Sequence, residues 1–225
     1  MSDNLSKRIF TSIILFAVLI ICIFINKYTF LFLVTVASVI SFFEFINLSK
    51  KIWKKKDYKI YLAYLISFFY LLFFSYSTYE IYKIGLSKII FILLICIFSD
   101  IGGYFIGKLI GGKRLIKISP NKTISGSIGS FVFSLIPIIT FLTIYEFTKN
   151  NEFQIHNHEF YNTIFLCLGT SLMCQLGDLF ISYFKRKAKI KDTGSILPGH
   201  GGLLDRVDGI IIAIPTVFFV YKMIF

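Results

Sequence analysis

Long apolar runs dominate the sequence and constrain its fold more than any other feature. Each run is close to the roughly 20 residues that a helix needs to cross a bilayer. Because lipid offers no partner for backbone N–H and C=O groups, each run is predicted to be a helix. The predicted spans are residues 9–26, 28–48, 60–77, 88–107, 127–148, 160–181 and 207–223.

Composition supports this assignment, because 56% of the 225 residues are hydrophobic, more than a soluble domain of this length can bury. We therefore expect an all-α, polytopic integral membrane protein of about seven transmembrane helices, with one or two more if a re-entrant segment is present. It should form a single membrane domain over residues 1–225, with N-terminal helices in 1–87. The first run resembles a signal peptide but lacks a small-residue cleavage site, so it is predicted to be retained.

The net charge of +12 indicates topology rather than nucleic-acid binding, because the cations lie between apolar runs of membrane length. With the N-terminus in the cytoplasm, 19 of the 24 Lys and Arg residues fall on the cytoplasmic side, as the positive-inside rule requires. The predicted setting is thus the cytoplasmic (inner) membrane, with no nucleic-acid partner. The cysteines have no metal-ligand spacing and are predicted to be small lipid-facing or packing residues: Cys22, Cys96, Cys167 and Cys174.

The stretch from Ser182 to Asp208 is the long polar run near the end of the chain, and it is predicted to face the cytoplasm. It contains acids, a Pro-Gly-His-Gly-Gly segment at residues 198–202 and six cations. Cations, acids and glycine backbone together indicate phosphate and metal chemistry. The cations are Lys185, Arg186, Lys187, Lys189, Lys191 and Arg206.

Acids inside or beside membrane spans are costly and usually functional. Asp178 shares a helical face with Ser182 and Lys185; a structural Asp178–Lys185 ion pair is the alternative interpretation. Asp205 and Asp208, at i and i+3, place two carboxylates on one face, which suits Mg²⁺ held partly by substrate phosphates. Alternatively, that pair marks the membrane boundary and the intervening arginine neutralises it.

Two glycine- or hydroxyl-containing segments resemble phosphate sites. Glycines 199, 201 and 202 open the last helix and could offer N–H groups to phosphate, or could simply make a tight turn; His200 could be a base or a structural hydrogen-bonding group. The basic loop 108–122 leads into Thr123 and the fifth span, and is either a phosphate site or a solvated loop.

Asp100 faces the same cytoplasmic half. Glu44 is interpreted as structural, reaching towards Lys50 or Lys51, and His156 and His158 receive no function.

These residues resemble the signature of the phosphatidate cytidylyltransferase (CDP-diglyceride synthase) family. The resemblance covers roughly the C-terminal 130 residues and departs from the family at Ile124 and Ser125, where a Trp-Glu pair is common, and at Ile181, where a Glu is common. The matching residues are Ser182, Phe184, Lys185-Arg186, Lys191-Asp192, Gly194, Pro198, His200-Gly201-Gly202 and Asp205-Arg206-Val207-Asp208, together with Asp100, Gly103-Tyr104-Phe105, Ile118-Ser119-Pro120, Lys122-Thr123 and Gln175-Leu176-Gly177-Asp178-Leu179.

The resemblance implies transfer of the cytidylyl group of CTP to phosphatidic acid, giving CDP-diacylglycerol and pyrophosphate, with residues 88–225 forming the catalytic part. It implies Mg²⁺, with a second divalent or monovalent cation, on Asp178, Asp205 and Asp208 and also Asp192. Further catalytic side chains would be Lys185, Arg186 and Lys191. The implied substrate-binding residues are Ser119, Lys122, Thr123, Ser182, His200, Gly201, Gly202 and Arg206.

The family analogy also allows a homodimer.

Two other functions compete with the implied one. A related membrane transferase or kinase would use CTP on another lipid acceptor. A transporter would place its acids near the bilayer midplane within repeated halves, a pattern that this sequence does not show.

Overall fold

A computed structural model describes residues 2–53, 57–116, 119–139 and 157–224, and most of these residues are helical. The chain is thus an all-α protein, as expected, apart from one short β-hairpin. In chain order the elements are α1 (Ser2–Ile25), α2 (Lys27–Ile52), α3 (Tyr58–Ile84), α4 (Leu86–Ile110), β1 (Arg114–Ile116), β2 (Ser119–Thr123), α5 (Ile124–Phe133), α6 (Asn157–Lys187) and α7 (Leu204–Ile224).

Several of these helices are apolar and long enough to cross a membrane. Four meet both criteria within the described ranges: Lys27–Ile52, Tyr58–Ile84, Leu86–Ile110 and Phe160–Lys187. Shorter apolar helices occupy Ile9–Ile25 and Ile124–Ile139. Helix α7 is mostly apolar, but its first two turns contain Asp205, Arg206 and Asp208. The end of the fifth predicted span and His156 lie outside the described residues.

Polar side chains fix where the helices begin. Asn26 alone separates α1 from α2, and its Oδ1 accepts hydrogen bonds from Tyr28 N (2.8 Å) and Thr29 N (2.9 Å). In return, Thr29 Oγ1 accepts from Asn26 N (3.3 Å), which completes a capping box. The one-residue connection therefore turns the chain back on itself, so that α1 and α2 pack as neighbours.

Glycines let α4 and α5 approach backbone to backbone. A Cβ on Gly129 would lie 2.5 Å from Cβ of Ile106 and 2.7 Å from the carbonyl oxygen of Gly102. A Cβ on Gly126 would lie 2.7 Å from the carbonyl oxygen of Gly103. Small residues serve this purpose in membranes, where close packing replaces the hydrophobic effect as the force between helices.

Proline interrupts the helix that follows the hairpin. Helix α5 ends at Phe133, residues 134–135 form a turn, and helical structure resumes at residues 136–139. Pro137 has no N–H to donate to the carbonyl four residues earlier, and its ring crowds that carbonyl. The prediction that Pro137 distorts this span is confirmed as a break in the helix.

The other helices surround a shared core, which buries side chains of α2, α3, α4, α6 and α7. Serine pairs cross between helices inside it: Ser38 with Ser75 (3.0 Å) and Ser99 with Ser171 (2.7 Å). All four cysteines are free, and Cys96, Cys167 and Cys174 are buried in the packing, as predicted.

The basic loop after α4 is more ordered than the sequence indicated. Strands β1 and β2 pair antiparallel, with Arg114 opposite Thr123 and Ile116 opposite Ser119. Gly111 and Gly112 lead into the hairpin with φ of 63° and 104°, backbone angles that favour glycine. The hairpin brings Lys122 and Thr123 to the start of α5.

We expect Gly129→Ala to destabilise the protein, although alanine favours helices by about 1 kcal/mol over glycine. The added methyl group would overlap Ile106 and the α4 backbone, and overpacking costs about 1–3 kcal/mol. Thermal unfolding in detergent micelles would measure the loss. The matched control is Gly169→Ala on α6, where a Cβ meets no atom within 4 Å. Equal stabilisation by both substitutions would contradict the packing argument.

Candidate active site

The candidate site lies where α6 and α7 cross, and two glycines permit the crossing. A Cβ on Gly177 would collide with the carbonyl oxygen of Asp208 and lie 2.9 Å from Cα of Gly209. The next residue on α6 is Asp178, and a Cβ on Gly209 would lie 3.4 Å from its Oδ1. The close approach of the two backbones is what brings acids of different helices together.

Asp178 and Asp208 form the acid pair of the site. Their carboxyl groups lie side by side, within hydrogen-bonding reach of each other. Lys122 of the hairpin donates to Oδ2 of Asp178 (2.7 Å). Asp100 on α4 interacts electrostatically with both Asp178 and Lys122. The alternative interpretation of an Asp178–Lys185 ion pair is wrong, because Asp178 pairs with Lys122.

Asp205 points into the loop before α7, not into the acid pair. Its Oδ1 accepts from Lys185 Nζ (2.8 Å), and its Oδ2 accepts from Thr193 N (2.8 Å) and Gly202 N (3.1 Å). Burial alone would raise the pKa of Asp205, but the Lys185 ammonium and the two backbone N–H groups outweigh burial and lower it. The expectation that Asp205 and Asp208 share one ion stays a prediction, and both Asp205 oxygens already accept hydrogen bonds from the protein.

The Pro-Gly-His-Gly segment forms a closed turn. Leu197 and Gly201 exchange two backbone hydrogen bonds of 2.9 and 3.1 Å around it. Gly199 and Gly201 have φ of 77° and 89°, so both occupy backbone conformations that L side chains rarely adopt. The tight-turn interpretation of Gly199 and Gly201 is thus confirmed.

Glu44 of α2 caps the start of α7. Its carboxylate is 3% exposed and accepts from Leu203 N (3.0 Å), Leu204 N (2.8 Å) and Thr193 Oγ1 (3.0 Å). Its structural role is as predicted, but its partners are the loop and not Lys50 or Lys51. Of the glycines expected to offer N–H groups to a phosphate, Gly202 donates its N–H to Asp205 instead. Its assignment to substrate binding stays a prediction.

His200 is tied to the first helix. Its Nδ1 lies 2.6 Å from Thr11 Oγ1 and its Nε2 lies 3.2 Å from Ser12 Oγ. Arg206 donates to the backbone carbonyl of His200 (3.1 Å). The ring of His200 thus has hydroxyl partners at both nitrogens, which favours its interpretation as a structural hydrogen-bonding group.

The start of α5 carries further candidate residues, and Thr123 is its N-cap: Thr123 Oγ1 accepts from Gly126 N (3.0 Å). Ser125, one of the departures from the family pattern, donates to the carbonyl of Gly111 and so ties the helix to the start of the hairpin. Ser127 donates to Oε1 of Gln175 on α6 (2.6 Å). Ser119 lies in β2 and is partly exposed.

The remaining candidates lie at the end of α6, in the loop before α7 and in the first turn of α7. Helix α6 continues past the predicted span to residue 187, so its basic end is helical. Ser182 is partly exposed on this helix. The exposed residues of this group are Arg186, Lys191, Asp192 and Arg206.

The acids could supply only part of a metal site. No group of three His, Cys, Asp or Glu side chains within the described ranges is arranged to hold a metal ion. Asp178 and Asp208 are nevertheless two carboxylates side by side, whose mutual repulsion a cation would relieve. Two carboxylates suit Mg²⁺, which usually takes its other ligands from water and substrate phosphates.

An apolar cavity of about 380 Å³ extends from this site between α2, α3, α6 and α7. Asp208 lines it, and otherwise its walls are almost entirely apolar. Ile66 and Phe180 also line it and are exposed on the outer helix surface, so the cavity lies beside the lipid-facing side. Ile181, the other departure from the family pattern, is 7% exposed and contributes an apolar wall where a Glu is common.

A buried hydroxyl faces this cavity. The side chain of Ser41 lines it and is fully buried, and its Oγ has no hydrogen-bond partner among the described residues. A buried hydroxyl without a partner is costly. A ligand with one polar atom near its chain would supply the missing partner.

The folded chain is thus a polytopic membrane protein with an acidic and basic site at one end of its helices and an apolar cavity beside it. Residues 50–224 match the family model described as the cytidylyltransferase family. The chain belongs to this family.

Curated relatives carry a more specific name. The chain is 45% identical over 130 residues to a phosphatidate cytidylyltransferase of Rickettsia bellii, covering 55% of this chain and 51% of the relative. It is 40% identical over 142 residues to one of Staphylococcus aureus (61% and 50%) and 40% identical over 132 residues to one of Staphylococcus haemolyticus (58% and 47%). The chain spans about half the length of the curated relatives it matches.

We expect Asp205→Asn to destabilise the protein by about 3 kcal/mol, because it leaves the largely buried Lys185 ammonium without its carboxylate. Thermal unfolding at neutral pH measures this loss. Asp192→Asn, in the same loop but exposed, is the matched control and should change little. A similar midpoint for all three proteins would contradict the anchoring role of Asp205.

The Asp205 contribution should also depend on pH. Its pKa is lower in the folded protein than the value of about 3.9 in an unfolded chain. Its stabilising effect is therefore fully present above that unfolded value and is lost as pH falls through the lower, folded value. We expect the stability gap between wild type and Asp205→Asn to stay constant at higher pH and to narrow only in this acidic window. A stability gap that narrowed near neutral pH would contradict the lowered pKa of Asp205.

Proposed function

We propose that the protein transfers the cytidylyl group of CTP to phosphatidic acid, giving CDP-diacylglycerol and pyrophosphate. The observation that carries this proposal is the position of the Asp178–Asp208 pair, with Lys122 beside it, at the end of an apolar cavity. Such a site suits a reaction between a polar polyanion and a lipid phosphate. The names of the curated relatives support the same reaction.

The reaction needs no protein nucleophile. A phosphate oxygen of the lipid attacks the α-phosphorus of CTP, a new P–O bond forms, and the bond between the α-phosphorus and the bridging oxygen breaks as pyrophosphate leaves. Catalysis then consists of aligning two polyanions and neutralising charge. Lys122 pairs with Asp178 and Lys185 pairs with Asp205. Arg186, Lys191 and Arg206 are exposed at the end of α6, in the loop and at the start of α7, and we assign them to contacts with the substrate phosphates.

Asp178 and Asp208 are the residues that would hold Mg²⁺, with the substrate phosphates completing its ligands. When bound, the ion would neutralise charge that develops on the phosphate oxygens. A second cation remains part of the proposal. Asp205 and Asp192 are poorer ligands, since Asp205 already accepts three hydrogen bonds and Asp192 is exposed near Gly201.

The proposed topology places the N-terminus and the site in the cytoplasm, where CTP is available, and the protein in the cytoplasmic membrane. The basic hairpin, the end of α6 and the loop before α7 would then lie on one side, as the positive-inside rule favours. Seven spans fit this arrangement. A homodimer stays a prediction from the family analogy.

The apolar cavity is the proposed site for an acyl chain. Its volume of about 380 Å³ lies in the range of small-ligand pockets. With the chain in this cavity the lipid phosphate would lie near Asp208, and the Ser41 hydroxyl could donate to an ester carbonyl. Entry past Ile66 and Phe180 would not require the lipid to leave the bilayer.

We expect Asp208→Asn to reduce formation of CDP-diacylglycerol from radiolabelled CTP and phosphatidate by about a hundredfold or more, because one of the paired carboxylates is lost. Wild-type activity should require added Mg²⁺ and disappear with a chelator. Asp57→Asn is the matched control, since asparagine caps a helix as well as aspartate does. Normal turnover by Asp208→Asn would refute the metal assignment, and product formed only with another lipid acceptor would refute the substrate.

Filling the cavity should change the preference for chain length. We expect Ala63→Phe to raise KM for long-chain (palmitoyl) phosphatidate several-fold and to leave KM for short-chain (hexanoyl) phosphatidate nearly unchanged, because the ring would occupy the space of the acyl chain. Leu62→Phe, at an exposed neighbouring position on α3, is the control. An equal change in KM for both substrates would contradict the acyl-chain assignment.

A further inference from the structure

Glu44 lies outside the part of the chain that matches the family model, yet it contacts the loop at the centre of the signature. It is 3% exposed, and within the described residues it belongs to no ion pair. Burying a carboxylate in this way is costly unless hydrogen bonds replace its water. Three donors do so, and two of them are N–H groups at the start of α7, where the helix dipole favours negative charge.

The loop is shaped around this carboxylate. A Cβ on Gly194 would lie 2.5 Å from Oε1 of Glu44, and a Cβ on Gly202 would overlap Oε2. Only glycine therefore fits at these two positions while the glutamate keeps its place. The signature glycine at 194 is thus explained by contact with Glu44, and the one at 202 by contact with both Glu44 and Oγ1 of Thr193.

The same loop residues connect Glu44 to Asp205. Thr193 donates its hydroxyl to Glu44 and its N–H to Asp205. Gly202 packs against Glu44 and also donates its N–H to Asp205. The loop is held between two carboxylates, so a shift of one would move the donors of the other.

Asp205 in turn fixes Lys185. Their ion pair is 2.8 Å long, and the Lys185 side chain is 16% exposed. Asp205 precedes Asp208 by three residues on α7, so the Lys185–Asp205 ion pair lies about one helical turn from Asp208. A continuous series of contacts therefore runs from Glu44 through the loop and Asp205 to the lysine beside the acid pair.

We propose that Glu44 is a positioning residue, which sets the place of Lys185 near Asp208 by holding the loop 193–203 against Asp205. The inference deepens the proposed function and rests on it where activity is concerned. It assigns a role in the site to a residue of α2, beyond the matched residues 50–224. Glu44 itself need not touch a substrate.

The first test measures the position of Lys185 without any activity. Glu44→Gln keeps the shape of the side chain but cannot accept all three hydrogen bonds. We expect the rate at which an amine-acetylating reagent modifies Lys185, followed by peptide mass spectrometry, to rise about tenfold as the loop opens more often. Glu80→Gln is the matched control: it frees Lys83, its ion-pair partner on α3, and should leave Lys185 unchanged.

Two outcomes of the labelling would overturn the proposal. One is an unchanged rate at Lys185 in Glu44→Gln. The other is an equal rise at every lysine, which would mean that the substitution loosens the whole protein. Wild-type protein that failed to make CDP-diacylglycerol would refute the proposed function, whereas the labelling would still decide the role of Glu44.

The second test is a double-mutant cycle on kcat with CTP and phosphatidate. We expect Glu44→Gln to lower kcat about tenfold in the wild-type background and to change it less than about twofold in a Lys185→Ala background, because both act through the same lysine. Equal losses in the two backgrounds would show that Glu44 acts only on general stability and would overturn the proposal.

Discussion

The structure depends on how the backbone N–H and C=O groups of the non-helical segment 188–203 find hydrogen-bond partners so close to a membrane. Elsewhere the helices satisfy their own N–H and C=O groups, but a loop and the first turn of a helix cannot. Here two carboxylates supply the acceptors: Glu44 for Leu203 and Leu204, and Asp205 for Thr193 and Gly202. This arrangement fixes where α7 begins and so where Asp208 faces α6.

Charge is balanced in two separate groups across the site. Lys185 neutralises Asp205 at the loop, and Lys122 reaches Asp178 from the hairpin. Asp208 and Asp178 remain side by side, and within the described residues Lys122 is the one cation that forms an ion pair with them. Two carboxyl groups this close need a shared proton or a cation between them. This need distinguishes the pair from the structural carboxylates Glu44 and Asp205, and it is the reason for placing the proposed cation there.

Much of the fold could be predicted from sequence because membrane helices satisfy their backbone locally, so an apolar run of sufficient length defines one. The break near Pro137 followed from the missing N–H of proline. The hairpin at 114–123 was not predicted, since its two strands are short and lack a repeated apolar alternation. The candidate acids were found because charges near lipid are conspicuous.

The partners of those acids could not be predicted, because spacing along one helix says nothing about a neighbouring element. Asp178 and Lys185 share a face of α6, yet each pairs with a residue elsewhere in the chain. The i, i+3 spacing of Asp205 and Asp208 likewise suggested one shared ion, whereas Asp205 faces the loop at the very start of α7. For Glu44, the sequence signal was present as an acid inside an apolar run, but its partners lie about 150 residues further along the chain.

The signature residues therefore divide by the physical task that the structure gives them. Gly194, Gly199, Gly201 and Gly202 shape the loop, through backbone angle or through lack of a side chain against Glu44. Asp205 and Thr193 hold the loop, and Asp208 forms the acid pair with Asp178. Many residues of this signature therefore have a role that requires no contact with substrate. Most of its members serve to place a few charges accurately beside the end of an apolar cavity, as the proposed reaction between a nucleotide and a lipid phosphate requires.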